Sequence, residues 1–158
     1  MMNSVIMPVH KIHPTAIVHP NAVIGKNVEI GAYAIVGDDV VIGDGCKLYP
    51  HAVIHEHTTV GKNCTFFPGC SIGAVPQDLK FAGEHSSTII GDGCIFRECT
   101  TVNRATGEGN KTIIGNNLLM MAYTHVAHNC IVGNNVIMSN VATLAGHVTV
   151  EDRAVIGG

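Results

Sequence analysis

The sequence contains no tryptophan and few aromatic or charged residues. Aromatic residues make up 4% of the 158 residues and charged residues 13%, whereas 46% of the residues are hydrophobic. This apolar content excludes an intrinsically disordered chain, and aliphatic side chains must fill the core. The length is sufficient for one domain with a substantial core.

Clusters of positive charge and long apolar runs are also missing. The nine Lys and Arg residues are scattered, and the formal net charge is −3. A basic stripe that could follow a phosphate backbone is absent, so we expect no nucleic-acid partner. No apolar run is long enough to cross a bilayer, and the first eleven residues lack the pattern of a secretory signal. We expect a cytoplasmic enzyme that does not insert into a membrane.

An aliphatic residue or phenylalanine recurs at every sixth position. Of the 25 multiples of six from 12 to 156, only Asp78, Glu84 and Glu108 depart from this rule. Glycine often follows the aliphatic residue, and a small residue often lies four places after it. Neither the helical period of 3.6 nor the strand period of 2 fits this pattern. A six-residue period predicts an all-β triangular solenoid, in which three hexads form one coil and stacked coils form three parallel sheets.

The repeat resembles that of hexapeptide-repeat proteins, and this resemblance implies a left-handed parallel β-helix. We predict a lead-in at residues 1–11 and a β-helix domain at residues 12–158. The motif lapses at about 73–89 and 103–113, which predicts two inserted loops, and the polar residues of the first loop favour a binding role. Glycine, asparagine and aspartate are expected at the tight corners. Five of the six cysteines occupy the small-residue position and are expected in the core: Cys46, Cys64, Cys70, Cys94 and Cys130.

Three histidines are predicted to lie on one edge of the prism. From residue 12 onward no histidine falls at an inward position of the repeat. His128 follows His125 by three residues, across a predicted corner, and His147 follows His128 by one 18-residue coil and one further step. Three outward imidazoles in this arrangement are compatible with surface residues, with acid–base catalysis or with a metal site.

Three segments resemble those of bacterial UDP-N-acetylglucosamine acyltransferases. They are the loop QDLKFAGE at 77–84, LLMMAYTHVAHNC at 118–130 and ATLAGHVTVEDRAVIGG at 142–158. The resemblance spans nearly the whole chain from Ile12 onward. It implies a homotrimer that moves an (R)-3-hydroxyacyl group from acyl carrier protein to the 3-hydroxyl of UDP-N-acetylglucosamine. This is the first step of lipid A biosynthesis, and it requires no cofactor and no metal.

The same resemblance implies roles for seven residues. His128 matches the general base, and the backbone N–H of Gly146 matches the donor to the developing oxyanion. The other five match substrate-binding positions: Gln77, Asp78, Lys80, His125 and His147. For the acidic carrier protein, we expect contacts to basic residues among Lys80, Arg97, Arg104, Lys111 and Arg153.

The chain departs from the family pattern at three places. Asn129 stands where many members have aspartate, and Asn103 stands where histidine is common. The asparagine at 103 raises the alternative of an acceptor with an amine at C3. The chain ends at Gly158, where relatives continue with more coils and a C-terminal helical domain, so we expect a fragment that lacks this domain. Two further alternatives are a zinc enzyme resembling γ-type carbonic anhydrases and a non-enzymatic scaffold.

Overall fold

The computed structural model describes residues 11–158, which form 22 short strands and no helix. The predicted lead-in at 1–11 lies outside the described residues except for Lys11. The strands build a left-handed parallel β-helix, as the six-residue period and the resemblance predict. Among the described residues no helix is long and apolar enough to cross a membrane.

Every third strand joins the same parallel sheet. The first sheet contains β1 Lys11–Ile12, β4 Glu29–Ile30, β7 Lys47–Leu48, β10 Thr65–Phe66, β13 Ile95–Phe96, β16 Leu119–Met120, β19 Ile137–Met138 and β22 Val155–Ile156. The second contains β2 Ile17–Val18, β5 Ile35–Val36, β8 Val53–Ile54, β11 Ser71–Ala74, β14 Thr101–Asn103, β17 His125–Val126 and β20 Thr143–Leu144. The third contains β3 Val23–Ile24, β6 Val41–Ile42, β9 Thr58–Val60, β12 Ser87–Ile90, β15 Lys111–Ile114, β18 Ile131–Val132 and β21 Thr149–Val150.

The core is the interior of this prism. Side chains at the multiples of six are buried from Ile30 to Leu144, wherever the repeat holds, and Phe66 stacks on Phe96 with ring centroids 4.9 Å apart. The five cysteines predicted to lie in the core are fully buried, and all six cysteines are free. In successive coils, residues of the same column pair directly, as Phe66 does with Leu48 and Phe96. Aliphatic stacking along the prism axis therefore replaces a conventional globular core.

The glycines that directly follow core positions are not the residues that carry the left-handed backbone of the corners. Except for Gly73, their φ angles lie outside the left-handed region, and a Cβ on Gly43 would lie 2.5 Å from the Gly61 carbonyl oxygen of the next coil. Left-handed φ angles occur two residues later in the hexad, at positions such as Asn27 (φ 55°) and Val141 (φ 67°). Glycine, asparagine and aspartate are frequent at that corner position, as predicted, for example Gly45, Asn63 and Asp39. Most glycines that directly follow core positions instead allow successive coils to approach closely.

Both inserted loops leave the prism at the same edge, where the chain passes from the second to the third sheet. The first occupies residues 75–86 between β11 and β12, and the second occupies 104–110 between β14 and β15. Both are shorter than the lapses in the motif suggest, because β11, β12 and β15 each extend to four residues and pair beyond the usual dipeptide. We call this edge, with both loops and the turns stacked beside them, the loop edge.

Candidate functional site

The loop edge brings four of the seven predicted site residues together. His128 lies in the turn after β17, and Gly146 and His147 lie in the turn after β20. Because β17 pairs with β20 in register, these two turns stack on each other. Asp78, from the first loop, approaches the same turn. Positions 128 and 146 are one coil apart, so the six-residue register alone sets their contact.

His128 is largely buried, and both ring nitrogens face polar groups. Its Nδ1 lies 2.9 Å from Asn129 Oδ1, and its Nε2 lies 3.8 Å from Asp78 Oδ2. The second distance is longer than a hydrogen bond. The His147 ring stands edge-on to the His128 ring, with centroids 5.2 Å apart, and the His147 N–H donates to the His128 carbonyl oxygen at 3.0 Å. The imidazole is therefore held on one side only, and Nε2 faces the first loop.

Gly146 lies directly against the imidazole. A Cβ at this position would lie 2.6 Å from both Cε1 and Nε2 of His128, closer than real Cβ contacts allow. Among residues 11–158 the Gly146 N–H donates to no protein acceptor. A side chain at 146 would displace the ring, so glycine is required here for contact between the backbone and His128 rather than for a left-handed φ.

Asn129 links His128 to the second loop. Its Oδ1 accepts hydrogen bonds from the Thr106 N–H at 2.9 Å and from Thr106 Oγ1 at 3.0 Å. Its Nδ2 donates to the Thr106 carbonyl oxygen at 3.0 Å, and its own N–H donates to Thr112 Oγ1 at 2.9 Å. The Asn129 backbone is left-handed (φ 59°), which asparagine tolerates well. Both the oxygen and the nitrogen of the Asn129 side-chain amide therefore bond the turn after β17 to the second loop.

The two loops are also fastened to each other. Glu84 Oε1 accepts a hydrogen bond from the Gly107 N–H at 2.7 Å, and the Gly109 N–H donates to the His85 carbonyl oxygen at 2.7 Å. Hydrogen bonds from the backbone N–H groups of Gly107 and Ala82 hold the pKa of the Glu84 carboxyl below its usual value, with Gly107 as the largest contributor. The first loop also makes a local turn, in which Asp78 Oδ1 accepts from the Lys80 N–H at 3.0 Å. The loop that bears Asp78 is therefore tied to the strand framework through the second loop.

The remaining predicted residues lie around this centre. His125 lies on the outer face of β17, where its Nδ1 is 2.7 Å from Thr101 Oγ1, and burial lowers the pKa of its imidazole. Gln77 and Lys80 are exposed on the first loop. His128, His147, Gly146 and Asp78 therefore form a contacting group. His125, Gln77 and Lys80 border it.

Asn103 is buried at the base of the first loop. Its Nδ2 donates to the Val75 carbonyl oxygen at 3.0 Å, and its Oδ1 has no partner among the described residues. The amide thereby ties β14 to the start of the first loop. The departure from histidine at this position has a structural role in addition to any effect on the acceptor.

Two of the basic residues expected to contact a carrier protein are engaged within the chain. Arg104 is buried and donates to Glu56 Oε1 at 2.8 Å, which rules it out as a freely exposed docking residue. Arg97 pairs with Glu98 at 3.0 Å. Arg104 follows β14 directly, so the burial of the strand extends to its side chain. Lys80, Lys111 and Arg153 remain exposed.

The Glu56–Arg104 pair leads to a prediction about stability. Hydrogen bonding from Arg104 holds the pKa of Glu56 below its usual 4.5, so its carboxylate stabilises the fold above that pH and ceases to do so as the pH falls through the lowered value. E56Q should therefore lower the free energy of unfolding by about 1 kcal/mol at pH 7, after allowance for the half-exposed carboxylate. The difference from the original chain should shrink below pH 4.5. Thermal unfolding at several pH values measures it.

The matched control is E98Q, since Glu98 forms its pair with Arg97 on the open surface. Surface pairs contribute little, so E98Q should leave the melting temperature unchanged. An equal loss of stability in both variants, at neutral and at acidic pH alike, would contradict the proposed importance of the buried Arg104.

Comparison with known proteins relates the repeat of this fold to a class of bacterial enzymes. The model of the bacterial transferase hexapeptide, described as six repeats, matches residues 21–56 and 39–74. Residues 21–74 therefore carry repeats similar to those of bacterial hexapeptide transferases. Within the described part of the chain, no group of three or more His, Cys, Asp or Glu side chains is arranged to hold a metal ion.

Within that class the similarity is to one kind of enzyme. The chain is 50% identical over 94 residues to the acyl-[acyl-carrier-protein]–UDP-N-acetylglucosamine O-acyltransferase of Stenotrophomonas maltophilia R551-3. These 94 residues are 59% of this chain and 36% of the relative. The UDP-N-acetylglucosamine acyltransferase structure from Bacteroides fragilis superposes with a TM-score of 0.90 at 45% identity, over 92% of this chain and 57% of that one. The corresponding structure from Acinetobacter baumannii gives a TM-score of 0.91 at 44% identity, over 93% and 57%.

The resemblance to UDP-N-acetylglucosamine acyltransferases drawn from the sequence is therefore confirmed. The chain spans about a third of the length of these curated relatives and less than three fifths of the solved structures. It is similar to a portion of such an enzyme.

Sequence reasoning missed two residues of the site. Thr106 lies in a segment where the hexad lapses, and nothing in its sequence context distinguishes it from other loop threonines. Glu84 was visible as a charged residue at a core position of the hexad, which indicated the insertion but not its partner Gly107. Contacts between two loops depend on where each excursion folds back, and periodicity carries no information about that.

Proposed function

We propose that this chain forms part of an O-acyltransferase that moves an (R)-3-hydroxyacyl group from acyl carrier protein to the 3-hydroxyl of UDP-N-acetylglucosamine, in the cytoplasm, as the first step of lipid A biosynthesis. One observation carries the proposal: the Nε2 side of His128 faces Asp78 while the backbone of Gly146 lies against the same ring. A base and a backbone donor for acyl transfer therefore meet at one point, on a chain similar to enzymes of that name.

In this mechanism His128 Nε2 removes the proton from the sugar 3-hydroxyl. The oxygen then attacks the thioester carbonyl carbon, and the oxyanion that develops accepts a hydrogen bond from the Gly146 N–H. Collapse of the tetrahedral intermediate breaks the C–S bond, and the proton on His128 passes to the leaving sulfur. The products are an ester and the free thiol of the carrier, and no cofactor takes part.

The surrounding side chains bind the substrates. Asp78, 3.8 Å from Nε2, accepts from a sugar hydroxyl held beside the base. Lys80 and Gln77, exposed on the same loop, contact the nucleotide, and the ammonium of Lys80 offsets phosphate charge. His147 packs against His128, and His125 lies three residues before His128 on β17, so we assign both to the lining of the substrate pocket.

The assembly we propose is a homotrimer with sites between neighbouring prisms. The outward row of the third sheet, which borders the loop edge, consists entirely of uncharged β-branched residues: Val23, Val41, Thr59, Ile89, Ile113, Ile131 and Thr149. Several of these are well exposed in one chain, including Val23 and Ile131. An apolar row of this length favours contact with another prism.

A direct assay tests the activity. Incubation of the protein with an (R)-3-hydroxyacyl carrier protein and UDP-N-acetylglucosamine should yield an acylated nucleotide sugar and one equivalent of free thiol. Mass spectrometry detects the ester, and a thiol reagent detects the free thiol released on the carrier protein. Hydrolysis of the thioester without acylation of the sugar would contradict the proposed acceptor.

Binding of the nucleotide sugar gives a second prediction. Titration calorimetry with UDP-N-acetylglucosamine should show K80A weakening the affinity about five- to tenfold, which corresponds to the loss of one exposed phosphate contact of roughly 1 kcal/mol. Lys62, exposed on the edge between the third and first sheets, provides the matched control, and K62A should bind as the original chain does. Equal affinity in K80A and K62A would remove Lys80 from the site.

A further inference from the structure

We propose that Asn129 is a positioning residue: locked by Thr106 of the second loop, it holds His128 in the tautomer with the proton on Nδ1 and does so without adding a negative charge. The kinetic part of this inference rests on the function proposed above. The part that concerns the imidazole itself does not. Neither the hexad nor the resemblance assigns any role to Thr106.

The orientation of the Asn129 amide is fixed by two backbone groups of one residue. The Thr106 carbonyl oxygen can only accept, so the atom 3.0 Å from it must be Nδ2. The Thr106 N–H can only donate, so the atom 2.9 Å from it must be Oδ1. A flipped amide would place donor against donor and acceptor against acceptor. The Thr106 backbone therefore hydrogen-bonds to both the oxygen and the nitrogen of the amide, and Thr106 Oγ1 adds a third hydrogen bond, to Oδ1.

The fixed amide in turn fixes the imidazole. Asn129 Oδ1 has no proton to donate, so the 2.9 Å contact with His128 Nδ1 requires the proton to be on Nδ1. In the neutral ring Nε2 then carries a lone pair, and Nε2 is the nitrogen that faces Asp78. The orientation of His128 as a base thus originates in the backbone of the second loop.

The neutrality of Asn129 has a separate consequence. The titratable groups that face His128 are Asp78, from the first loop, and His147, from the next coil. A carboxylate at 129 would add a second negative charge beside the ring and favour the imidazolium, which cannot act as a base. Its second oxygen would also oppose the Thr106 carbonyl oxygen. The amide avoids both effects while it still accepts from Nδ1.

Imidazole nitrogen NMR on the full chain tests the tautomer directly. In protein labelled with ¹⁵N-histidine, the His128 signals are assigned by their loss in H128Q. We expect neutral His128 to carry its proton on Nδ1. N129G removes the acceptor, yet glycine tolerates the left-handed backbone, so this variant should fold and show a mixture of tautomers. N129D should raise the pH at which His128 titrates by about one unit.

Asn135 provides matched controls, because it is an exposed asparagine with the same left-handed backbone (φ 57°) in the next turn along the chain. N135G and N135D should leave the tautomer and the titration of His128 unchanged. T106V, which keeps the backbone contacts, should also retain the Nδ1–H tautomer. A proton on Nε2 in the original chain, or an unchanged tautomer in N129G, would overturn the inference.

The acyl-transfer assay adds a readout that a merely structural role would not change. The acid limb of the kcat/KM profile should move to higher pH in N129D by the same amount as the NMR titration, and kcat should fall at least tenfold in N129G. An acid limb that stays in place in N129D while the NMR titration moves would overturn the link to catalysis. If no variant and no original chain transfers acyl groups, the NMR result still decides the positioning role, and only the proposed function fails.

Discussion

Replacement of His128 by glutamine should lower kcat for acyl transfer by a factor of about 10²–10⁴. General base catalysis by a positioned side chain contributes an acceleration of this size, and a sugar hydroxyl is a poor nucleophile unless its proton is removed. Glutamine retains polarity and approximate length at the turn after β17, so binding of the nucleotide sugar should change much less than kcat. Steady-state kinetics with saturating carrier protein, combined with calorimetry, separates the two effects.

His51 supplies the control for this experiment. It stacks on Tyr33 with ring centroids 5.3 Å apart and lies on the edge between the first and second sheets, away from the loop edge. H51Q should retain the original kcat. Near-original turnover in H128Q would remove His128 as the base and leave the shape of the pocket as the source of any activity.

Introduction of a methyl group at position 146 should reduce kcat by roughly 10²-fold. The new Cβ would lie 2.6 Å from Cε1 and Nε2 of His128, so the ring must move by several tenths of an ångström or more. Displacement of a catalytic group by about 1 Å is sufficient for a loss of this order. The ring is held by Asn129 on its other side, and it cannot shift without loss of the 2.9 Å contact with Oδ1. The kinetics of G146A should therefore show a loss of kcat with a nearly unchanged melting temperature.

Gly157 occupies the glycine position after a core residue in the last described hexad, and a Cβ there meets nothing within 4 Å. G157A is therefore the appropriate comparison, with unchanged kcat and unchanged melting temperature. A G146A variant that keeps its activity would show that the His128 ring relocates without cost, which is incompatible with a base held in one position.

The fold was predictable because each hexad repeats the same physical requirement. Ile30, Leu48 and Phe66 lie at consecutive core positions of the first sheet, and each must exclude water from the interior. The corners were predictable by residue type, since Gly45, Asn63 and Asp39 take the left-handed backbone there, but the close approach of successive coils at the other glycines was not predicted. Tyr33 and Val141 adopt that backbone, although neither is a residue type associated with it.

The site was predictable only where the register controls it. His128 and Gly146 differ by 18 residues, one coil, and their contact follows from that number. The role of Asp78 beside His128 was predicted from the family resemblance. The repeat could not predict it, because the twelve-residue loop that carries Asp78 has no six-residue period. The hydrogen bonds between Thr106 and Asn129 could not be anticipated because they depend on the path of a loop relative to a turn of the next coil.

The lengths of the two excursions have an implication for how such a site can change. Ile72 and Ile90 are consecutive core positions separated by two extra hexads, and Val102 and Ile114 by one. Because both excursions leave the prism and return to it, a change in the length of either loop is absorbed within that loop, and every later strand keeps its sheet. Six residues added to the prism itself would instead move every later strand to the next sheet, because three hexads form one coil. Substrate contacts can therefore be remodelled in the loops while the base and its backbone neighbour, encoded downstream, keep their places.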